Sequence, residues 1–110
     1  MTLQKIFDIR FAGPRLLVCL LLVLGPGASY AADAIKGGEL YAAHCAACHG
    51  LSGVSVIPGA PNFARSEGIL RPDMFLLTAI KEGKNAMPAY QGILSDRDIL
   101  DVIAYMRILN

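Results

Sequence analysis

The sequence predicts an all-α domain of three main helices joined by long ordered loops, with no sheet. Three observations lead there. Apolar residues recur at helical spacing in three stretches, each bounded by capping or helix-ending residues; no segment alternates polar and apolar residues as a half-buried strand would; and the connections are punctuated by Gly and Pro. Loops of this length in so short a chain count against a bare protein core and favour a domain wrapped around something.

At 110 residues the chain holds at most one domain, and its first third stands apart from the rest. Lys5, Arg10 and Arg15 precede the wholly apolar "LLVCLLLVL" of Leu16 to Leu24, which gives way to the small, flexible "GPGASYAADA". Basic, apolar and cleavage regions in that order make residues 1–31 a cleavable signal peptide and 32–110 the mature domain. The apolar run is far shorter than the about 20 residues needed to cross a hydrocarbon core, so an uncleaved membrane anchor is the lesser reading. Small residues at Ser29-Tyr30-Ala31 and again at Ala32-Asp33-Ala34 place cleavage between 31 and 34, and the sequence does not choose between them. Cys19 leaves with the leader. The expected location is the periplasm.

From Ala32 onward, seven Lys and Arg side chains oppose eight Asp and Glu, a net of −1. With no basic stripe and no aromatic ladder, nucleic acid is excluded as a partner. A mature chain of this size has a marginal core and usually needs a staple or a cofactor.

Asp33 is a capping residue for the first helix, "AIKGGELYAAHCAACHG", with Ile35, Leu40 and Tyr41 on one face and Gly50 able to end it. Gly37 and Gly38 each cost about 1 kcal/mol relative to Ala, which implies that something packs very close to them. "LSGVSVIPGAPN" (Leu51 to Asn62) is loop. A short helix then follows Pro72 and Asp73 and stops at Gly83. "KNAMPAYQGIL" is loop again. The last helix, "SDRDILDVIAYMRIL", opens on a Ser95/Asp98 capping-box pattern and carries Ile99, Val102, Ile103, Met106 and Leu109 on one stripe.

The chemistry lies in "AAHCAACHG", where Cys45, Cys48 and His49 form a C-x-x-C-H. A thioredoxin-like dithiol would sit at a helix N-terminus after a strand, where the first thiol's pKa is depressed; this pair lies at the end of a helix with no strand before it. Zinc would need four ligands, and the mature chain offers two Cys and the two crowded histidines His44 and His49. Covalent haem uses every element of the spacing: two thiols for two vinyl groups, and a histidine beside the second as iron ligand. For the opposite face His44 is tethered to the same helix as His49, while Met74 and Met106 sit at helix positions where methionine ordinarily fills core. Met87, on a loop stiffened by Pro88, is the expected second ligand.

These residues resemble the small monohaem class I cytochromes c, His/Met-ligated and of the bacterial periplasmic type. Gly37, Tyr41 and the C-A-A-C-H box stand at that family's first-helix spacing, "APNF" (Ala60 to Phe63) is similar to its G-P-N-L, "GKNAMPAY" to its distal-ligand loop and "LSDRDILDVIAYMRIL" to its last helix. The likeness runs from Asp33 to Leu109, departing at Ala60, where the family commonly has Gly. It implies a class I cytochrome c fold around one covalently bound haem c and its iron. By the same resemblance Pro61 offers its carbonyl to the other ring nitrogen of His49, Phe63 and Tyr90 pack near the haem, and Tyr105 meets Gly37 where first and last helices cross. The implied function is one-electron transfer between larger redox proteins, a donor and an acceptor, by a monomer that meets membranes only transiently through those partners and is not an enzyme. Two rivals stand beside it: a haem subunit dedicated to one respiratory or maturation complex, and a haem enzyme or gas-binding protein with a dissociable methionine.

Overall fold

A computed structural model describes residues 31–110, which form one compact unit; the leader reading, residues 1–31, lies outside the described residues except for Ala31. Helices α1 (Ala34–His44), α2 (Ala46–His49), α3 (Asp73–Glu82) and α4 (Asp96–Met106) are joined by loops, one of which holds a 3-10 turn at Phe63–Arg65. Among the described residues there is no strand, only isolated bridges between Lys84 and Met87 and between Gln91 and Leu94.

Helices α1 and α4 each begin on a side chain that replaces a missing backbone partner. The Asp33 carboxylate accepts the Ile35 and Lys36 amides at 2.9 and 3.2 Å. Ser95 and Asp98 form the reciprocal capping box of α4. Gly83 ends α3 with φ 69.

Two boundaries differ from the sequence reading. The first helix is interrupted at Cys45 (φ −116, ψ −35), so the C-x-x-C-H box forms its own short turn. The last helix stops at Met106 rather than running to Leu109; the amides of Ile108 and Leu109 reach back three residues, to Tyr105 and Met106, tightening the end. Arg107 holds that end by donating to the carbonyls of Ile69 and Arg71 and by pairing with Asp73.

The frame depends on the crossing of α1 over α4. A Cβ on Gly37 would lie 1.9 Å from the Asp101 carbonyl oxygen, so the two backbones touch there. The Tyr105 ring covers the neighbouring Gly38, 3.0 Å from where its Cβ would stand, and packs 5.3 Å from the Tyr41 ring; the sequence reading had set Tyr105 against Gly37 itself. Asp101, 1 % exposed, accepts the Asp33 amide at 2.8 Å and faces Arg97 Nε at 3.3 Å and Lys36 Nζ at 3.7 Å. A buried carboxylate is tolerated only with such compensation. Tyr41, Ile99, Val102 and Ile103 complete the core beneath the crossing.

Gly37→Ala and Gly38→Ala separate contact from propensity. Both gain about 1 kcal/mol of helix propensity. At position 37 the methyl meets immovable backbone, and overpacking of about 1–3 kcal/mol or more outweighs the gain; at 38 it meets the edge of a ring that can shift. Thermal melts of the holoprotein should show Gly37→Ala clearly destabilised and Gly38→Ala near wild type.

Asp98 pairs with Lys36 and accepts from Ser95, which together hold its carboxyl down at about 2 against an ordinary 3.8. The stability this contributes is present above about pH 4 and lost as the pH falls through about 2. Melting temperature should therefore fall between pH 4 and pH 2 more steeply for wild type than for Asp98→Asn.

Candidate functional site

The C-x-x-C-H turn is fixed from both ends. The Cys45 amide donates to the Tyr41 carbonyl at 2.8 Å, and the Cys45 carbonyl accepts the His49 amide at 3.0 Å. Both thiols are free and partly buried. Burial, with a smaller contribution from Cys48, pushes the Cys45 thiol up to about 11. That is the reverse of the activated thiolate a dithiol oxidoreductase needs. No group of three or more candidate metal ligands of the His, Cys, Asp and Glu type occurs among the described residues, which leaves the zinc reading without support.

His49 is 8 % exposed, with its ring stacked on Phe63 at 4.4 Å between centroids and 15° between planes. Its Nδ1 lies 3.1 Å from the Pro61 carbonyl. A carbonyl can only accept, so Nδ1 carries the proton and Nε2 is left with a free lone pair. Ala60 does not disturb this geometry, because the left-handed residue of the turn is Gly59 (φ 82). Behind His49, Gly50 has φ 77 and its absent Cβ would lie 2.0 Å from the Val54 carbonyl oxygen. Its own carbonyl accepts the Tyr41 hydroxyl at 2.7 Å, and burial raises that hydroxyl to about 12.

The facing wall is the loop after α3. Lys84 and Met87 exchange two backbone hydrogen bonds of 3.1 and 2.9 Å around a tight turn in which Asn85 takes φ 53. A Cβ on Gly83 would come within 2.7 Å of the Met87 carbonyl oxygen and the Ala89 nitrogen. The Tyr90 and Gln91 amides return to the carbonyls of Ile80 and Lys81 at 3.2 and 3.1 Å. Tyr90 then spans the site: its hydroxyl donates to the His44 carbonyl at 2.7 Å and its ring meets the His44 ring edge-on.

Between these walls lies a cavity of about 470 Å³ lined by Cys45, Cys48 and His49 on one element and by Met87, Pro88 and Tyr90 on the other. Pro61 and Phe63 line it as well. Gly37, Tyr41 and Tyr105 lie outside it, in the helix crossing that supports it. Of the methionines read as core filler, Met106 is 6 % exposed and reaches the cavity, whereas Met74 is 65 % exposed and does not. Met74 is not core, because α3 turns Leu76, Leu77 and Ile80 inward and leaves position 74 on its outer side. Sequence reasoning missed Glu67, a carboxylate at the cavity. The Asn62 amide and Arg65 both donate to it and hold it below the usual carboxylate range. It also missed Tyr90 as a bridge, since a contact with His44 across 46 residues leaves no local signal.

Two free thiols, an imidazole with one nitrogen committed and one available, and a thioether around one apolar space form a donor set suited to a covalently held haem. Residues 32–106 match the family model described as cytochrome C oxidase, cbb3-type, subunit III. The chain is 37 % identical over 93 residues to cytochrome c6 of Thermosynechococcus vestitus, covering 81 % of this chain and 80 % of that protein. It is 41 % identical to cytochrome c4 of Pseudomonas aeruginosa, covering 83 % of this chain and 46 % of that protein. The solved structure of cytochrome c6 from the diatom Phaeodactylum tricornutum superposes with a TM-score of 0.58 at 34 % identity, over 69 % of this chain and 92 % of that one.

The chain belongs to the class I cytochromes c. As a small monohaem cytochrome c it carries one covalently bound haem c with its iron, and it is a one-electron carrier working with redox partners rather than an enzyme. Among the described residues no helix of this cytochrome is long and apolar enough to cross a membrane.

Gly83 and Gly92 offer a test of how the facing wall is held. Both have positive φ, but a Cβ at 92 meets nothing within 4 Å. Each Ala substitution places a side chain at positive φ, and at Gly83 (φ 69, ψ 170) the backbone lies in a region that is essentially glycine's own, at a cost of about 1–3 kcal/mol. Gly83→Ala adds the clash with the Met87 segment. Hydrogen exchange should accelerate at the Lys84 and Met87 amides in Gly83→Ala and remain near wild type there in Gly92→Ala.

Proposed function

We propose that this cytochrome is a periplasmic electron carrier exported behind residues 1–31, with Cys45 and Cys48 as the covalent haem attachments and His49 Nε2 and Met87 Sδ as the axial iron ligands. The observation that carries this reading is one shared cavity, lined by an imidazole whose Nδ1 is engaged by Pro61 and by a methionine on a doubly hydrogen-bonded loop. When bound, haem iron supplies a one-electron couple. The residues of the chain do the rest. Pro61 fixes the tautomer of His49 and Phe63 fixes its plane. Met87 offers a soft thioether, which favours the ferrous state and raises the potential. The mostly apolar lining would keep water from the group, and with His49 and Met87 both holding the iron no position would be left for oxygen or substrate. Met106 is the competing thioether, but it is committed to the core on α4 while Met87 stands on the loop.

A second reading has one specific observation in its favour: the matching family model is described as an oxidase subunit, which suits a haem subunit dedicated to one respiratory complex. Copurification with a single large membrane complex would support it. Recovery as a free monomer supports the carrier.

The ligand assignment is tested by variants of the holoprotein. Met87→Ala should abolish the near-infrared sulfur-to-iron band of the ferric state and open the ferrous iron to carbon monoxide. Met87→His should lower the potential, because a nitrogen donor stabilises Fe(III) relative to a thioether. Met106→Leu and Met74→Leu should keep both band and potential. Loss of the band in Met106→Leu with retention in Met87→Ala would reverse the assignment.

A further inference from the structure

Two positions offer the small residues a signal peptidase reads, Ser29-Tyr30-Ala31 and Ala32-Asp33-Ala34, and they differ in what they leave on the folded domain. A cut after Ala34 would remove Asp33. That residue makes three separate connections: its carboxylate caps the Ile35 and Lys36 amides, its carbonyl accepts the Gly37 amide at 2.9 Å, and its own amide donates to Asp101 at 2.8 Å. Asp101 is the buried carboxylate of the helix crossing, and among the described residues it would keep the longer approaches of Arg97 and Lys36. The same cut would also place a new α-ammonium on Ile35, in the first turn of α1, where the helix dipole disfavours positive charge.

A cut after Ala31 keeps all three connections. It sets the new ammonium on Ala32, next to Asp33 and close to Asp101, where opposite charge compensates it. What is lost is the Ala31 carbonyl as an acceptor for Arg97, whose Nε remains paired with Asp101.

We infer that the leader is removed at the Ala31–Ala32 bond, so that Ala32 is the first residue and Asp33 stays to cap α1 and to satisfy the buried Asp101. The step is a hydrolysis: water gives its oxygen to the new Ala31 carboxylate, and the released amine of Ala32 takes up a proton. The inference rests on the export reading above.

The test is the N-terminus of the full chain produced in a bacterial host with haem-attachment machinery, read by sequencing and by intact mass of the periplasmic holoprotein. Ala32 as first residue is the expected result. A start at any other residue, Ile35 included, overturns the inference while leaving export intact, and so does a start at Met1 in exported holoprotein; full-length chain found only in the cytoplasm and without haem overturns the export reading itself. A second measurement addresses the physical cause. Holoproteins made behind a foreign leader to begin at Ala32 or at Ile35 should differ in Tm by about 4–8 °C or more, the shorter one melting first. Equal melting temperatures would remove the ground for the choice.

Discussion

The contact on which the rest of this structure depends is the touch of backbone on backbone where α1 crosses α4. With no Cβ at Gly37, the Asp101 carbonyl comes closer than any side chain would allow. From there the consequences run along α1 at intervals of four residues. Asp33 starts the helix, Gly37 makes the crossing, Tyr41 fills the core and holds the Gly50 carbonyl, Cys45 interrupts the helix and His49 lines the cavity. On an unbroken helix residues four apart drift by about 40° at each step. His49 would then stand about 120° round from Gly37. The interruption at Cys45 falls between them, and Gly37, Tyr41 and His49 all remain buried.

Around the cavity the protein supplies walls more than filling. The buried core is one cluster that runs from Tyr41, Ile99, Val102 and Ile103 at the helix crossing to Phe63, Ile69, Leu76, Ile80 and Met106 at the cavity, while other large apolar side chains, such as Leu51, Val56 and Leu70, are exposed. A domain of this size is short of buried apolar area. An apolar prosthetic group adds what the chain lacks, and the walls are correspondingly stiff in backbone terms. The Pro61 turn, the Lys84–Met87 turn and the return of Tyr90 to Ile80 are all closed by hydrogen bonds within the protein.

Much of this was legible in the sequence, and the parts that were not have a common cause. Helix positions, the Asp33 and Ser95 caps and the C-x-x-C-H box follow from local patterns, and the structure carries those elements. The costly glycines 37 and 38 announced a close approach, although not which partner met which glycine. Misjudged features depended on direction in space. Met74 looks like core from its residue type, yet α3 is short and buries a different side. Asp101 carries no local mark of burial in the sequence, and its burial follows only from where Asp33 and Gly37 bring α1. The break at Cys45 has no sequence marker, because nothing in "AHCAAC" disfavours helix.

Why such a site suits electron transfer rather than catalysis follows from how its two walls are connected. Tyr90 belongs to the Met87 loop but donates to the carbonyl of His44, the last residue of α1, immediately before the turn that carries Cys45, Cys48 and His49. Gly83 brings the same loop down onto the end of α3. Opening the cavity for a substrate would mean breaking these bonds together, with polar groups freed beside an apolar lining. An outer-edge electron transfer needs no such opening. It needs a site that keeps its geometry in both oxidation states, and a wall tied at Ile80, Lys81 and His44 is built to move little.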